Sequence, residues 1–347
     1  MPHQDAIKKG KEDMAQGKWT DACSKLNKAL EILYKKSAEA GPSTRTRQKD
    51  RVTEGLVRAM LGNCLRMTGR FDEAGKEFEK VRSIAEDAKD DHLMSEALMG
   101  LGFVAWRGDD YKGARTDFKK AIELAEKAHD KYIKGMALMG LGNLDLVIRN
   151  LDEGVKVYEE ARSYLESVPE ARMDFARLLH NLAFLYYKKG NRTKARELYK
   201  KALSISDSIG DVHISGFIHS NMALMYVDED KLTEAEVCLE KAGRLLARSN
   251  DRIGLNLVGW VRGLIKFKQA GPEEALKQFR KTKRGFEELG LAAQILNMME
   301  DYIPVFKAAE HEKEALDVIS ELREHFAKKD MPEMRTRVEE LEQKVKG

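Results

Sequence analysis

The chain has 347 residues, 42% of them hydrophobic and 34% charged, with only 6 prolines and 7% aromatics. That composition, with abundant alanine, leucine, glutamate, lysine and methionine, favours helix nearly throughout. The 61 basic and 58 acidic residues leave a formal charge of +3, which argues against a dedicated binder of nucleic acid or another polyanion.

Length alone would suggest two or three globular domains, but the chain repeats itself, and a solenoid escapes that count because each unit contacts only its neighbours. Small residues recur at Gly10, Gly62, Gly102, Gly142, Ala183, Ala223 and Gly263, with Ile303 in the eighth place. A second row follows twelve residues later: Ala22, Ala74, Ala114, Gly154, Ala195, Ala235, Ala275 and Ala315. Four residues beyond each stands a large apolar residue: Leu26, Phe78, Phe118, Tyr158, Tyr199, Leu239, Phe279 and Ile319. Small residues let paired helices approach closely, and large ones fill the gap between successive pairs. Each unit therefore reads as two helices joined by a tight turn.

In chain order the units cover about 3–40, 51–90, 91–130, 131–170, 171–210, 211–250, 251–290 and 291–330, within a repeat domain of 1–330. In the first, the second helix is expected to reach about Ala40. An exposed basic loop then follows, from Gly41 to Lys49 within 41–51, either a docking or processing loop or a surface insertion. Between units, Asp90, Asp130, Glu170, Gly210, Asn250, Gly290 and Asp330 suit helix caps or left-handed turns. Within units, Gly69, Gly108, Gly190 and Gly271 close first helices, and Pro272 suits a first helical turn. Thr233 to Glu236 has the pattern of a capping box. In the eighth unit, Pro304 is expected to kink or shorten the first helix. Residues 331–347 form a last helix, with Met334, Val338, Leu341 and Val345 on one stripe. It either caps the eighth unit or makes the chain a weak dimer rather than a monomer.

The alternation is seen whole in residues 181–205, NLAFLYYKKGNRTKARELYKKALSI, where Ala183 and Ala195 stand among large apolar residues around Gly190 and Asn191. This stretch resembles a tetratricopeptide repeat, of the long kind found in kinesin light chains and G-protein-signalling modulators. The resemblance implies an all-α, right-handed superhelical solenoid of eight helical hairpins plus a C-terminal capping helix. It also implies a non-catalytic scaffold or adaptor that holds a peptide or helix of a partner protein in its concave groove. Two other readings stand beside it. One is a peptide-sensing regulator of the aspartyl-phosphatase-regulator type, which is similar in repeat length but usually carries a further N-terminal three-helix bundle, for which residues 1–40 are too short. The other is a nucleic-acid or anion binder using Arg262, Lys266, Lys268, Lys277, Arg280, Lys281, Lys283 and Arg284, the basic face of 262–284.

No phosphate-binding glycine loop, HExxH or nucleophile motif is present, so neither catalysis nor a cofactor is expected. Cys23, Cys64 and Cys238 are isolated, which speaks against disulfides or zinc and for a reducing compartment. The first residues lack the apolar run of a signal peptide, and no stretch nears the ~20 apolar residues that span a bilayer. A cytoplasmic location follows as the expectation.

In a fold of this kind the first helices line the inner face. Positions six and three before the small residue, and one and four after it, make one stripe. The stripe runs Glu96, Met99, Phe103, Trp106; Met136, Met139, Asn143, Leu146; Arg177, His180, Phe184, Tyr187; Phe217, Ser220, Leu224, Val227; and Leu257, Trp260, Leu264, Phe267. The expected peptide contacts are Met99, Phe103, Trp106, Met136, Met139, Asn143, Arg177, His180, Asn181, Phe184, Tyr187, Phe217, Asn221, Trp260 and Phe267. Methionine adapts to varied apolar partners; the same residues could instead pack between adjacent first helices. Asparagines placed like Asn143, Asn181 and Asn221 hold a bound peptide's backbone in the resembling families, so these three are expected to contribute little to folding. Met139 stands where chaperone-tail binders carry a lysine, which speaks against such a tail as ligand.

Overall fold

The computed structural model describes residues 2–39, 44–329 and 331–347, and among them there is no strand. The helices are α1 (Pro2–Ala15), α2 (Trp19–Glu39), α3 (Thr44–Met67), α4 (Phe71–Ala88), α5 (Asp91–Arg107), α6 (Tyr111–Lys127), α7 (Lys131–Val147), α8 (Leu151–Leu165) and α9 (Arg172–Lys188). They continue as α10 (Arg192–Ile209), α11 (Val212–Asp228), α12 (Leu232–Arg248), α13 (Arg252–Ala270), α14 (Pro272–Glu287), α15 (Ala292–Ala308), α16 (Glu312–Lys328) and α17 (Pro332–Lys346), with a 3₁₀ turn at Pro169–Ala171.

The chain divides into two compact units. One holds Met1–Asp145 and Asp152–Leu178, the other Leu146–Leu151 and Leu179–Gly347. In the first, α1 to α6 each pack on the next helix in sequence, and α3 also packs on α5. In the second, α10 to α17 follow the same rule, with α11 also on α13 and α15 on α17.

The two rows of small residues explain this packing. Ala74, Ala114, Ala195, Ala235, Ala275 and Ala315 are fully buried. A Cβ on Gly62 would lie 2.8 Å from the Phe78 ring, one on Gly102 2.7 Å from Phe118, and one on Gly142 2.9 Å from Tyr158. Each ring thus lies against the bare backbone of its partner helix, a distance only glycine allows. The rings also touch the next first helix: a Cβ on Gly100 would meet Phe78 at 2.3 Å, and one on Gly140 would meet Phe118 at 2.4 Å. A buried ring wedged between two successive first helices is what holds one hairpin to the next.

Turn chemistry sets the helix starts. Asp90 accepts from Leu93 N–H at 2.9 Å, Asp130 from Ile133 at 2.9 Å and Asp251 from Gly254 at 2.8 Å, satisfying amides that a helix N-terminus leaves orphaned. Within units, the caps are Asp110 and Asn191, accepting from Gly113 at 2.8 Å and Lys194 at 3.1 Å. Lys89 and His129 take left-handed backbone, at φ 52° and 54°, just before two of the caps.

Several local expectations are corrected. Residues 44–49 belong to helix α3, not to a loop, and Gly41–Ser43 lie outside the described residues. The Thr233 pattern does not cap: α12 begins at Leu232 after Lys231, which makes no side-chain cap bond, so Thr233 falls inside the helix. Pro304 does not shorten α15, which runs 17 residues through it, the same length as α5. The stripe of α17 is buried against α16 and α15, with Met334 and Val338 at 0%, so it is used within the chain.

Ala195 gives a test of the packing register. Its side chain has no exposure, and overpacking a core costs ~1–3 kcal/mol or more. Ala195→Leu should therefore melt clearly below wild type. Lys194→Leu, one residue away on a partly exposed position, should melt within a degree or two of it. Equal melting temperatures for the two variants would show the register to be wrong.

Candidate functional site

The first-helix stripe of the first unit is mostly closed. Met99 and Met136 are 1% exposed, Phe103 3% and Met139 5%, so these expected contacts pack against neighbouring helices. Trp106 keeps partial exposure. Asn143 is buried and its Oδ1 accepts from the Tyr158 hydroxyl at 2.5 Å. It ties α7 to α8, contrary to the expectation that it serves only a ligand. Asn143→Ala should lower stability by ~1 kcal/mol or more, because a buried bond is lost; an unchanged melting temperature would contradict that structural role.

The same unit holds a half-buried charged strip. The Arg66 guanidinium lies over the Phe103 ring, 4.5 Å from its centroid. Its Nε has no hydrogen-bond partner, and among the described residues it makes no ion pair. Burial holds its pKa below the ordinary arginine value, while the Asp174 carboxylate pulls it back up. Asp174 accepts from the Tyr132 hydroxyl at 3.1 Å and pairs with Arg177 at 3.4 Å. Arg177 also reaches the Met67 sulfur at 3.7 Å, joining α9 to α3. On α5, Glu96 has no ion pair among the described residues. Burial pushes its pKa up to about 7, with His92 and Lys11 opposing and Asp130 adding to the rise. His92 is drawn instead to Asp130, at 3.1 Å.

The second unit resolves its polar groups differently. His180 is buried; its Nε2 meets the Asn221 amide at 2.8 Å and its Nδ1 meets Asn181 Oδ1 at 3.0 Å. Burial pushes its pKa down to about 4, so the ring is neutral at pH 7 and joins the two asparagines. Tyr187 is buried and donates to Asp228 at 2.5 Å, and Trp260 is 5% exposed. Phe184, Phe217 and Phe267 are partly buried. Two cations lie over the Phe184 ring, Lys188 at 5.6 Å and Arg149 at 5.9 Å from its centroid. Those cations cross to α15: Lys188 pairs with Asp301 at 3.2 Å and Arg149 with Glu300 at 2.7 Å. From α17, Arg337 pairs with Glu300 and donates to Asn297 at 2.9 Å and to the Val147 carbonyl at 2.6 Å.

The basic face of 262–284 is largely neutralised. Lys277 pairs with Glu274, Arg280 with Glu314, Lys283 with Glu287 and Glu321, Lys266 with Glu274 and Lys268 with Asp230. Only Arg262, Lys281 and Arg284 are left without an acidic partner among the described residues. The pairing lowers the net positive charge of that face, on which a polyanion's affinity would depend.

Three residues of the charged strip escape the stripe rule as applied to the sequence. Arg66 stands four past Gly62, the register of Trp106 and Tyr187, so extending the rule to the second unit of the repeat would have found it. Tyr132 and Asp174 lie ten and nine before their small residues, beyond the four positions the rule covers. Among the described residues, no group of three or more His, Cys, Asp or Glu could hold a metal ion. No described helix is long and apolar enough to cross a membrane.

Residues 56–127 and 174–248 match the family model of the tetratricopeptide repeat. No curated protein matches the chain by sequence. Among solved structures, the chain is similar to a Rap protein complexed with competence and sporulation factor, with a TM-score of 0.66 and 13% identity over 96% of this chain and 100% of that one. It is also similar to the Rap conjugation gene regulator of plasmid pLS20 in complex with the Phr* peptide, with a TM-score of 0.60 and 12% identity over 93% and 96%. The apo quorum sensor NprR from B. thuringiensis gives 0.53 and 17% identity over 96% and 98%. At these identities the likeness establishes the fold alone. The likeness to the first Rap chain spans the whole of that chain.

Proposed function

We propose that this chain, a repeat protein of the tetratricopeptide type, is a peptide-sensing regulator. It takes a short peptide against inner-face side chains of the first unit and performs no catalysis. The observation that carries this reading is Arg66, held on Phe103 without an anionic partner. Leaving a cation unpaired in a half-buried setting costs stability, and such a cost is retained where a ligand completes the pairing. The fold supports the same reading, because two proteins it resembles are described in complex with a peptide or a sporulation factor. A passive scaffold for an apolar helix is less well supported, because Met99, Met136 and Met139 are already buried.

The test is affinity selection of a synthetic library of five- to ten-residue peptides, read by mass spectrometry. Wild type should retain a defined subset, and Arg66→Met should lose that subset by at least tenfold while melting at or above the wild-type temperature. Retention of no peptide by wild type, or equal retention by the variant, would overturn the proposal.

A further inference from the structure

Resting on that peptide reading, we infer that the ligand is a short peptide carrying two opposite charges about three residues apart, its carboxylate meeting Arg66 and its cationic group meeting Glu96. The charge balance of the strip argues for it. At one end, Arg177 pairs with the Asp174 carboxylate at 3.4 Å, while Arg66 makes no ion pair among the described residues. The Arg66 guanidinium keeps an Nε with no partner. An added carboxylate would complete that end, and a guanidinium accepts it in a bidentate fork.

At the other end, Glu96 is the unmatched group. The cations that reach it electrostatically are His92, which turns to Asp130 at 3.1 Å, and Lys11, which makes no ion pair with it. Tyr132 lies within the influence of both ends, since Asp174 and Glu96 each add to the rise in its pKa after burial. A ligand cation at Glu96 would provide the missing partner and favour the ionised carboxylate.

Spacing sets the length. Glu96 and Phe103 lie on α5, and seven residues of helix rise about 10 Å. Arg66 sits on the Phe103 ring, so the two charged ends stand about that far apart along the helix. An extended peptide advances ~3.3 Å per residue, so a span of about three residues bridges them. The two charges could be the free termini of a very short peptide or charged side chains within a longer one.

The experiment uses synthetic tetrapeptides in four forms: free termini, N-acetylated, C-amidated and doubly blocked. Each form is selected against wild type, Glu96→Gln and Glu96→Lys, with circular dichroism to verify that the variants fold. Peptides retained by wild type should carry a cation and a carboxylate at the stated spacing. Glu96→Gln should weaken them several-fold and Glu96→Lys at least tenfold. Loss on blocking the termini assigns the charges to the termini, and retention after blocking assigns them to side chains. Retained peptides without the charge pair, or a Glu96→Gln selection identical to wild type, would overturn this inference and leave the peptide reading intact. Retention of no peptide by wild type would overturn both.

Discussion

Gly100→Ala is expected to lower the melting temperature, and Gly75→Ala to raise it. Both glycines lie in helices, α5 and α4, where alanine is favoured by ~1 kcal/mol on propensity alone. The difference is in what a methyl group would meet. At Gly100 it would lie 2.3 Å from the Phe78 ring. That ring has no exposure, and its other side is pressed against Gly62, where a Cβ would sit 2.8 Å from it. With glycine backbone on both sides the ring has nowhere to go, and overpacking of this kind costs ~1–3 kcal/mol or more. At Gly75 the nearest atom is the Val104 Cγ1 at 3.4 Å, an ordinary contact. The two variants should therefore shift in opposite directions by several degrees. A Gly100→Ala protein as stable as Gly75→Ala would mean that the ring does not wedge the two hairpins together.

Glu96→Gln is expected to be more stable than wild type at pH 8.5 and indistinguishable from it at pH 4. Burial raises the folded pKa of Glu96 from 4.5 to about 7. Between those values the folded chain holds a proton that the unfolded chain has released, so stability falls as pH rises through that window. The cost is fully developed above about pH 7 and reaches up to ~3 kcal/mol at 1.36 kcal/mol per pKa unit. Glutamine cannot ionise and does not incur it. The groups facing Glu96 are His92, Lys11, Asp130 and Tyr132. His92 has a raised pKa through its bond to Asp130, so its own contribution is full below about pH 6.5 and is lost as pH rises through its folded value. Both groups act in the same direction, and comparing wild type with Glu96→Gln isolates the carboxyl. Urea midpoints at pH 4 and pH 8.5 check it; an equal gap at both would show that Glu96 is ordinarily solvated.

The helical hairpins were legible because they rest on local rules. The rows through Gly62, Gly102 and Gly142 and through Ala74 and Ala114 encode contacts within one hairpin, where sequence spacing and distance correspond. The companion positions Gly100 and Gly140 were missed because each receives the ring of the preceding hairpin, a contact that no single unit contains. The inner face was harder still. Helical periodicity placed Met99, Met136 and His180 on one stripe, but it carries no information about how near the adjacent first helices come, and that distance decides whether a stripe is a groove or a seam. Asn143 shows the limit: its position matches a peptide contact, while its partner is Tyr158, from the same hairpin. Arg177 meeting Met67 and Lys188 meeting Asp301 join helices far apart in sequence, and no spacing rule announces such pairs.

Those last pairings alter how the second unit should come apart. In an array where each hairpin touches only its neighbours, the end hairpin frays first and unfolding creeps inward. Here α15 is fastened to α9 by Lys188 and Asp301, and α17 reaches the Val147 carbonyl and Glu300 through Arg337. These ties close a circuit, so that releasing α17 also removes one of the two arginines that hold Glu300. Amide exchange along α15 to α17 should then follow one cooperative opening rather than a gradient of progressively easier local ones.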